Sequence, residues 1–263
     1  MAAPAPDCTA RPVFAADALA GRRALVTGGT RGIGRAIALA LARAGAEVVV
    51  TWAAREADAE EAARALAACG DAHRVRRCDV RDRGAVTALF AEMKESGGTD
   101  VLVNNAAVAR DGHLMLLADD AWDDVLATNL SGPFLCTRAA LRGMIARRWG
   151  RIVNIISPAG LAGKAGAANY AASKGGLLSL TRSLAREVAR FGITVNAVCP
   201  GLVETPMLAA LPTHVREEML AQVPLARPAE PEEVAAAVLF LSSGASSYIT
   251  GAMLAVDGGL VMA

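Results

Sequence analysis

From Arg23 onward, short β-branched and aliphatic runs alternate with longer stretches whose apolar residues recur at helical spacing. That rhythm predicts repeated strand-helix-strand units, hence a single-domain, Rossmann-like α/β fold: a doubly wound parallel sheet with helices on both faces. Seven runs read as strands, at 23–27, 47–51, 74–78, 101–104, 151–156, 193–198 and 253–256. Between them lie Ala-rich, charge-dotted segments such as DAEEAARALAA at 58–68, which fit helices. Residues 234–256 carry no charge, but SSGASSYITG interrupts them with hydroxyl residues and glycines, so they read as helix, loop and strand rather than a membrane span.

The length of 263 residues suits one α/β domain, expected over 21–263, with residues 1–20 (beginning MAAPAPDCTARPVF) as a loose extension. The extension has neither the early positive charges nor the apolar core of a secretory signal. A long proline-punctuated stretch, 200–231, follows the sixth strand, where a doubly wound sheet places its ligand crevice. The 27 Lys and Arg nearly cancel the 26 Asp and Glu, and the formal charge of +1 gives no reason to expect a nucleic-acid partner. Five scattered cysteines without a C-x-x-C pair suggest a reducing, cytoplasmic setting, and no metal is expected. His73, His113 and His214 are isolated and read as surface or loop residues.

Two constellations carry chemistry. The first strand runs into TGGTRGIG (27–34) and then AIALALARAG, the strand, glycine turn and helix order of a dinucleotide site. Gly28 and Gly32 can take backbone angles closed to other residues and let a pyrophosphate approach the amides, while Gly34 lets the helix pack tightly. The helix opening near Ile33 directs its free N–H groups at the phosphates. In the second, Tyr170 and Lys174 stand four residues apart in ANYAASKGG and share a helix face. The ammonium is expected to lower the phenol's pKa so that Tyr170 can exchange a proton. Ser157 follows the apolar strand RIVNII, so it projects into the same crevice and can hydrogen-bond the reacting oxygen.

The spacing Gly-x-x-x-Gly-x-Gly in TGGTRGIG resembles the short-chain dehydrogenase/reductase family, and the resemblance extends over nearly the whole chain. It implies nicotinamide-dependent transfer of hydride to or from a carbonyl, with Asn129, Ser157, Tyr170 and Lys174 as the catalytic set. Asn129 would hold a water linking Lys174 to solvent, and Lys174 would also bond the nicotinamide ribose. Asp79 in CDV matches the adenine-contacting acid, followed by Val80. Asn104, Asn105 and Ala106 match the segment NNAG, with Ala107 in place of its last glycine. Pro200, Gly201 and Thr205, with Val203 between them, match the carboxamide-holding segment. The implied cofactor site also takes in Gly28, Thr30, Arg31, Gly32, Ile33 and Gly34, with Thr51 and Arg55 at the end of the second strand, and Tyr170 and Lys174.

The second strand ends VVVTWAAR without the acid typical of NAD-preferring members, and Arg31 and Arg55 could meet a 2′-phosphate, so NADP(H) is expected over NAD(H). Within the family, NYAASKGGL, SLAREVARFGITVNAVCPGLVETPM and SSYITGAMLAVDGG look like bacterial β-ketoacyl-acyl-carrier-protein reductases. That likeness implies reduction of a β-ketoacyl thioester on acyl carrier protein or CoA in fatty acid synthesis, and a homotetramer. Alcohol, sugar and steroid dehydrogenases share these stretches and remain the alternative, with a non-catalytic nucleotide-binding scaffold a weaker one. Arg147, Arg148 and Arg190 could form a basic landing surface for an acidic carrier, or serve only as helix-end cations.

Overall fold

The computed structural model describes residues 17–209 and 212–262. Seven strands are present: β1 (Arg23–Val26), β2 (Glu47–Trp52), β3 (Arg74–Arg77), β4 (Val101–Asn104), β5 (Gly150–Ile155), β6 (Ile193–Pro200) and β7 (Met253–Val256). Their ends lie within two residues of those expected from the hydrophobic pattern. All pair in parallel in the order β3-β2-β1-β4-β5-β6-β7. Because β4 follows β3 in the chain but lies beside β1, the order reverses between β1 and β4. Such a reversal opens a crevice beyond the carboxyl ends of the strands.

Alternation along the strands divides the core. Val26, Val48, Val50, Val103 and Ile155 pack with Ile37 and Leu41 of α1 (Gly32–Arg43) and with Val234, Val238 and Leu241 of a late helix. Leu25, Leu102, Ile152 and Val195 face the other way, toward three further helices. The first side also holds α2 (Glu56–Ala67); the second is built from α3 (Arg83–Glu95), α5 (Gly132–Arg147) and α7 (Ala168–Val188). Before α5 come α4 (Asp119–Leu126) and a π-helical turn, Ala127–Ser131. The short α6 (Ala159–Ala162) follows Ser157. After β6, the proline-punctuated stretch forms α8 (Pro206–Ala209) and α9 (Thr213–Leu220), and α10 (Pro231–Ser242) precedes β7. No helix among the described residues is long and apolar enough to cross a membrane.

One expectation changes. Leu19 is only 1% exposed, belongs to the first core, and donates its N–H to Ala44 O at 2.7 Å. The packed fold therefore reaches back to at least Asp17, and the earlier part of the expected extension, with Cys8, lies outside the described residues. His73 lies in the loop before β3, as expected, and its Nδ1 accepts the Val48 N–H at 3.2 Å, tying the approach to β3 onto β2.

Candidate active site

The glycine turn is fixed from beneath by polar side chains. Thr27 Oγ1 accepts the N–H groups of Asn105 at 3.0 Å and Ala106 at 3.1 Å. Asn105 Nδ2 answers by donating to the carbonyls of Thr27 and Gly28, both at 3.0 Å. The Gly28 N–H donates to Thr51 Oγ1 at 3.3 Å. Three strand ends are thus laced together across the switch point, which brings Thr51, Asn105 and Ala106 beside the glycine turn.

Packing sets the glycines. Gly28 has φ +62°, and a Cβ on it would stand 2.9 Å from Ala106 Cα. A Cβ on Gly34 would overlap the Gly28 carbonyl oxygen and Asn105 Nδ2. Gly32 (φ +50°) faces Thr205, whose methyl lies 3.5 Å from where a Cβ would be. Thr30 is buried, Ile33 half-buried, and no side chain caps α1 at Arg31. The first-turn amides and helix dipole therefore face the crevice without a protein anion to satisfy them, a donor set that fits a pyrophosphate.

The other expected cofactor residues lie at the ends of several strands and in the loops beyond them. Gly201 follows β6 with its N–H on Val256 O at 3.0 Å, and a Cβ there would strike Asp257 Cα at 2.7 Å. Val203 is buried, and Thr205 Oγ1 donates to Val203 O at 3.2 Å, which shapes the loop beyond Pro200. Asp79 lies past the end of β3, its carboxylate gripped by the Arg81 guanidinium at 2.7 Å and by the Arg81 N–H at 2.9 Å. Those bonds hold its pKa below the ordinary carboxylate range. Val80 is buried against Gly132 at the start of α5. Asn104 turns inward, donating to Asn154 Oδ1 at 2.8 Å and Thr137 Oγ1 at 3.1 Å, so it braces the sheet. Arg55 is exposed at the start of α2. Arg31 does not stand alone: its Nε lies 3.7 Å from Asp58 Oδ2, an acid supplied by α2 rather than by the second strand.

At the carboxyl end of β5, Ser157, Tyr170 and Lys174 converge. Lys174 is buried, its Nζ donating to Ile155 O at 2.8 Å and standing 5.6 Å from the Tyr170 ring centroid. Burial lowers its pKa to about 8. The Tyr170 phenol shifts upward, the reverse of the sequence expectation, because desolvation outweighs the downward pull of its hydrogen bond to Ser157. Ser157 Oγ also accepts the Ala159 N–H at 3.3 Å, which sets its rotamer. Burial likewise pushes the nearby Cys199 thiol up to about 12, leaving it an inert neighbour.

Asn129 is fully buried in the π-helical turn. It exchanges two 2.9 Å hydrogen bonds with the Val108 backbone, and its Nδ2 also donates to Ser173 Oγ at 3.2 Å. Ser173 Oγ in turn donates to Tyr170 O at 2.7 Å, so Asn129 meets the Tyr170 helix through an intermediary. Asn169, not singled out by sequence, accepts the Tyr170 N–H at 2.8 Å and donates to the carbonyls of Arg110 at 3.0 Å and Ala121 at 3.2 Å. Thr27, Ser173 and Asn169 sit inside or beside the quoted motifs, and that adjacency was the available signal.

The basic segment lies elsewhere. Arg147 pairs with Asp100 at 3.2 Å and donates to Thr99 O at 2.6 Å, and Arg148 donates to Arg190 O at 3.0 Å. Both arginines precede the amino end of β5, away from Ser157, so within one chain they do not rim the crevice.

A family model described as enoyl-(acyl carrier protein) reductase matches residues 28–261. The 3-oxoacyl-acyl-carrier-protein reductase FabG of Vibrio cholerae is 46% identical over 93% of this chain and 99% of its own length. The FabG protein of Staphylococcus aureus is 44% identical over 92% and 98%. A solved structure, a putative gluconate dehydrogenase from Agrobacterium tumefaciens, superposes with a TM-score of 0.89 at 36% identity, covering 93% of this chain and 98% of that one. With a seven-stranded parallel sheet, a glycine turn suited to a dinucleotide and this match along its length, the chain belongs to the short-chain dehydrogenase/reductase family, nicotinamide-dependent oxidoreductases acting on CH–OH and C=O groups.

Proposed function

We propose that this protein reduces a 3-oxoacyl (β-ketoacyl) thioester, carried on acyl carrier protein or CoA, to the 3-hydroxyacyl form with NADPH. The observation that carries the reading is similarity to 3-oxoacyl-acyl-carrier-protein reductases at 44–46% identity over more than nine-tenths of the chain. The crevice supports it, because it brings together two hydroxyl side chains, Ser157 and Tyr170, whose interaction pulls the phenol's pKa down against its desolvation.

Thr30 to Gly34, Thr51, Asn105, Ala106, Gly201 and Thr205 would hold the dinucleotide, with Asp79 and Val80 at the adenine end and Arg31 and Arg55 toward a 2′-phosphate. When bound, a nicotinamide cofactor supplies the hydride that forms the new C–H bond. Ser157 donates to the carbonyl oxygen and stabilises the charge that builds there. Tyr170 gives that oxygen its hydroxyl proton, and its raised pKa keeps the proton on the phenol until the oxygen becomes basic, which suits the reductive direction. Lys174, its pKa lowered by burial to about 8, would stabilise the tyrosinate left behind and, as the family resemblance implies, bond the nicotinamide ribose. Asn129, with Ser173, keeps the helix of Tyr170 in register and marks the route by which a proton returns from solvent.

Oxidation of a sugar acid is the second reading, favoured by the solved relative at 36% identity. Steady-state kinetics separate the two. The expected order of kcat/KM is acetoacetyl-acyl-carrier-protein, then acetoacetyl-CoA, then gluconate, each with NADPH or NADP. Gluconate or a simple ketone matching both thioesters would remove the 3-oxoacyl assignment.

A further inference from the structure

Arg31 is bound from one side only. Its Nε faces Asp58 Oδ2 at 3.7 Å, close enough for attraction but too long for a hydrogen bond. That oxygen is itself buried and has no hydrogen-bond partner. The Arg31 side chain is half exposed. Asp58 thus brings an under-satisfied negative charge to the side of the glycine turn where Arg31 would meet a 2′-phosphate. A buried acceptor left without a hydrogen bond is costly and calls for a structural or functional reason.

We propose that Asp58 is a specificity-determining residue of the cofactor site: an internal counter-anion that competes with the 2′-phosphate for Arg31 and so holds down discrimination between NADPH and NADH. The inference rests on the proposed placement of the 2′-phosphate at Arg31. Arg31 alone would favour a dianion strongly. The neighbouring carboxylate neutralises part of that attraction and adds like-charge repulsion to any phosphate that arrives. Adenosine ligands without the 2′-phosphate keep only their 5′-phosphate, which lies farther from Arg31, so Asp58 weakens one ligand class much more than the other. Asp58→Asn preserves size and a side-chain acceptor for Arg31 while removing the charge.

The test measures binding of two fragments that need no turnover, adenosine 2′,5′-bisphosphate and AMP, by calorimetry on the full chain. Wild type, Asp58→Asn and Arg31→Ala are compared at low and high salt. Asp58→Asn is expected to raise the bisphosphate-to-AMP affinity ratio by about three- to tenfold, the effect of one charge several ångström away at intermediate dielectric, and less at high salt. An unchanged ratio, or a gain shared equally by AMP, overturns the proposal. A fall in the ratio also overturns it, since Asp58 would then be orienting Arg31 for the phosphate. Failure of the underlying placement is read separately: Arg31→Ala would leave the ratio of the wild type unaltered. AMP binding in each variant reports an intact site, so loss of folding cannot pass for loss of selectivity.

Discussion

Tyr170 holds its proton more tightly than a free phenol because its hydroxyl is desolvated, and Lys174 releases one more easily for the same reason. In a reduction the phenol is therefore already in its working state, and Lys174 is the group that titrates near neutrality. kcat/KM for reduction is expected to be flat up to about pH 8 and to fall above it as the Lys174 ammonium loses its proton. A profile still rising at pH 9 would place the controlling group elsewhere. Tyr170→Phe removes the donor while leaving the phosphate contacts and Lys174 in place, so turnover should drop roughly a hundredfold or more while NADPH affinity stays within about twofold. Retention of a tenth of the activity would count against the proton-donor role.

At the scale of elements, the β1 turn works only because β1, β2 and β4 meet there through Thr27, Thr51 and Asn105. Gly34→Ala tests the tightness of that junction. Its methyl would drive α1 off the Gly28 carbonyl, and cofactor affinity should fall by at least tenfold along with a loss of about 1–3 kcal/mol in stability. Equal affinity in the variant, followed by fluorescence titration, would show that the turn can relax. The glycine pattern and the Tyr-x-x-x-Lys spacing made this site legible in the sequence, because each depends on residues close together in the chain. The sign of the Tyr170 shift was not legible, since desolvation depends on packing from distant segments. The Asp58 pairing with Arg31 escaped for a related reason: a helix residue past the second strand has no pattern that says where it points. Likewise Asn129 in the helical stretch WDDVLATNLSG reads on its own as a kink or cap, and nothing local says that the backbone there widens into a π turn.

Across the whole molecule, short β-branched runs alternating with helical periodicity made all seven strands legible, while the start of the packed fold moved because Leu19 sits in a proline- and alanine-rich stretch without periodicity. Exposed apolar side chains remain: Leu114, Met115 and Leu116 beside the crevice, Phe134 on α5, and Tyr248 and Leu254 near the last strand. Leu114, Met115 and Leu116 form one contiguous exposed apolar run, the kind of patch that marks an interaction site, so self-association is expected, with a tetramer as the state implied by the family resemblance. Multi-angle light scattering at micromolar concentration should return a mass well above the 27.0 kDa of one chain. A stable monomer would contradict this.

The central claim is that the protein adds hydride to the 3-carbonyl carbon of an acyl thioester, and a labelled turnover tests it most directly. Purified protein is given acetoacetyl-acyl-carrier-protein, or separately a 2-enoyl thioester, with NADPH carrying deuterium at nicotinamide C4, and the products are read by mass spectrometry. The account predicts one deuterium on carbon 3 of a 3-hydroxyacyl product from the first substrate and no saturated acyl product from the second. Deuterium found only in a saturated acyl chain, as reduction of a carbon-carbon double bond would give, would contradict it.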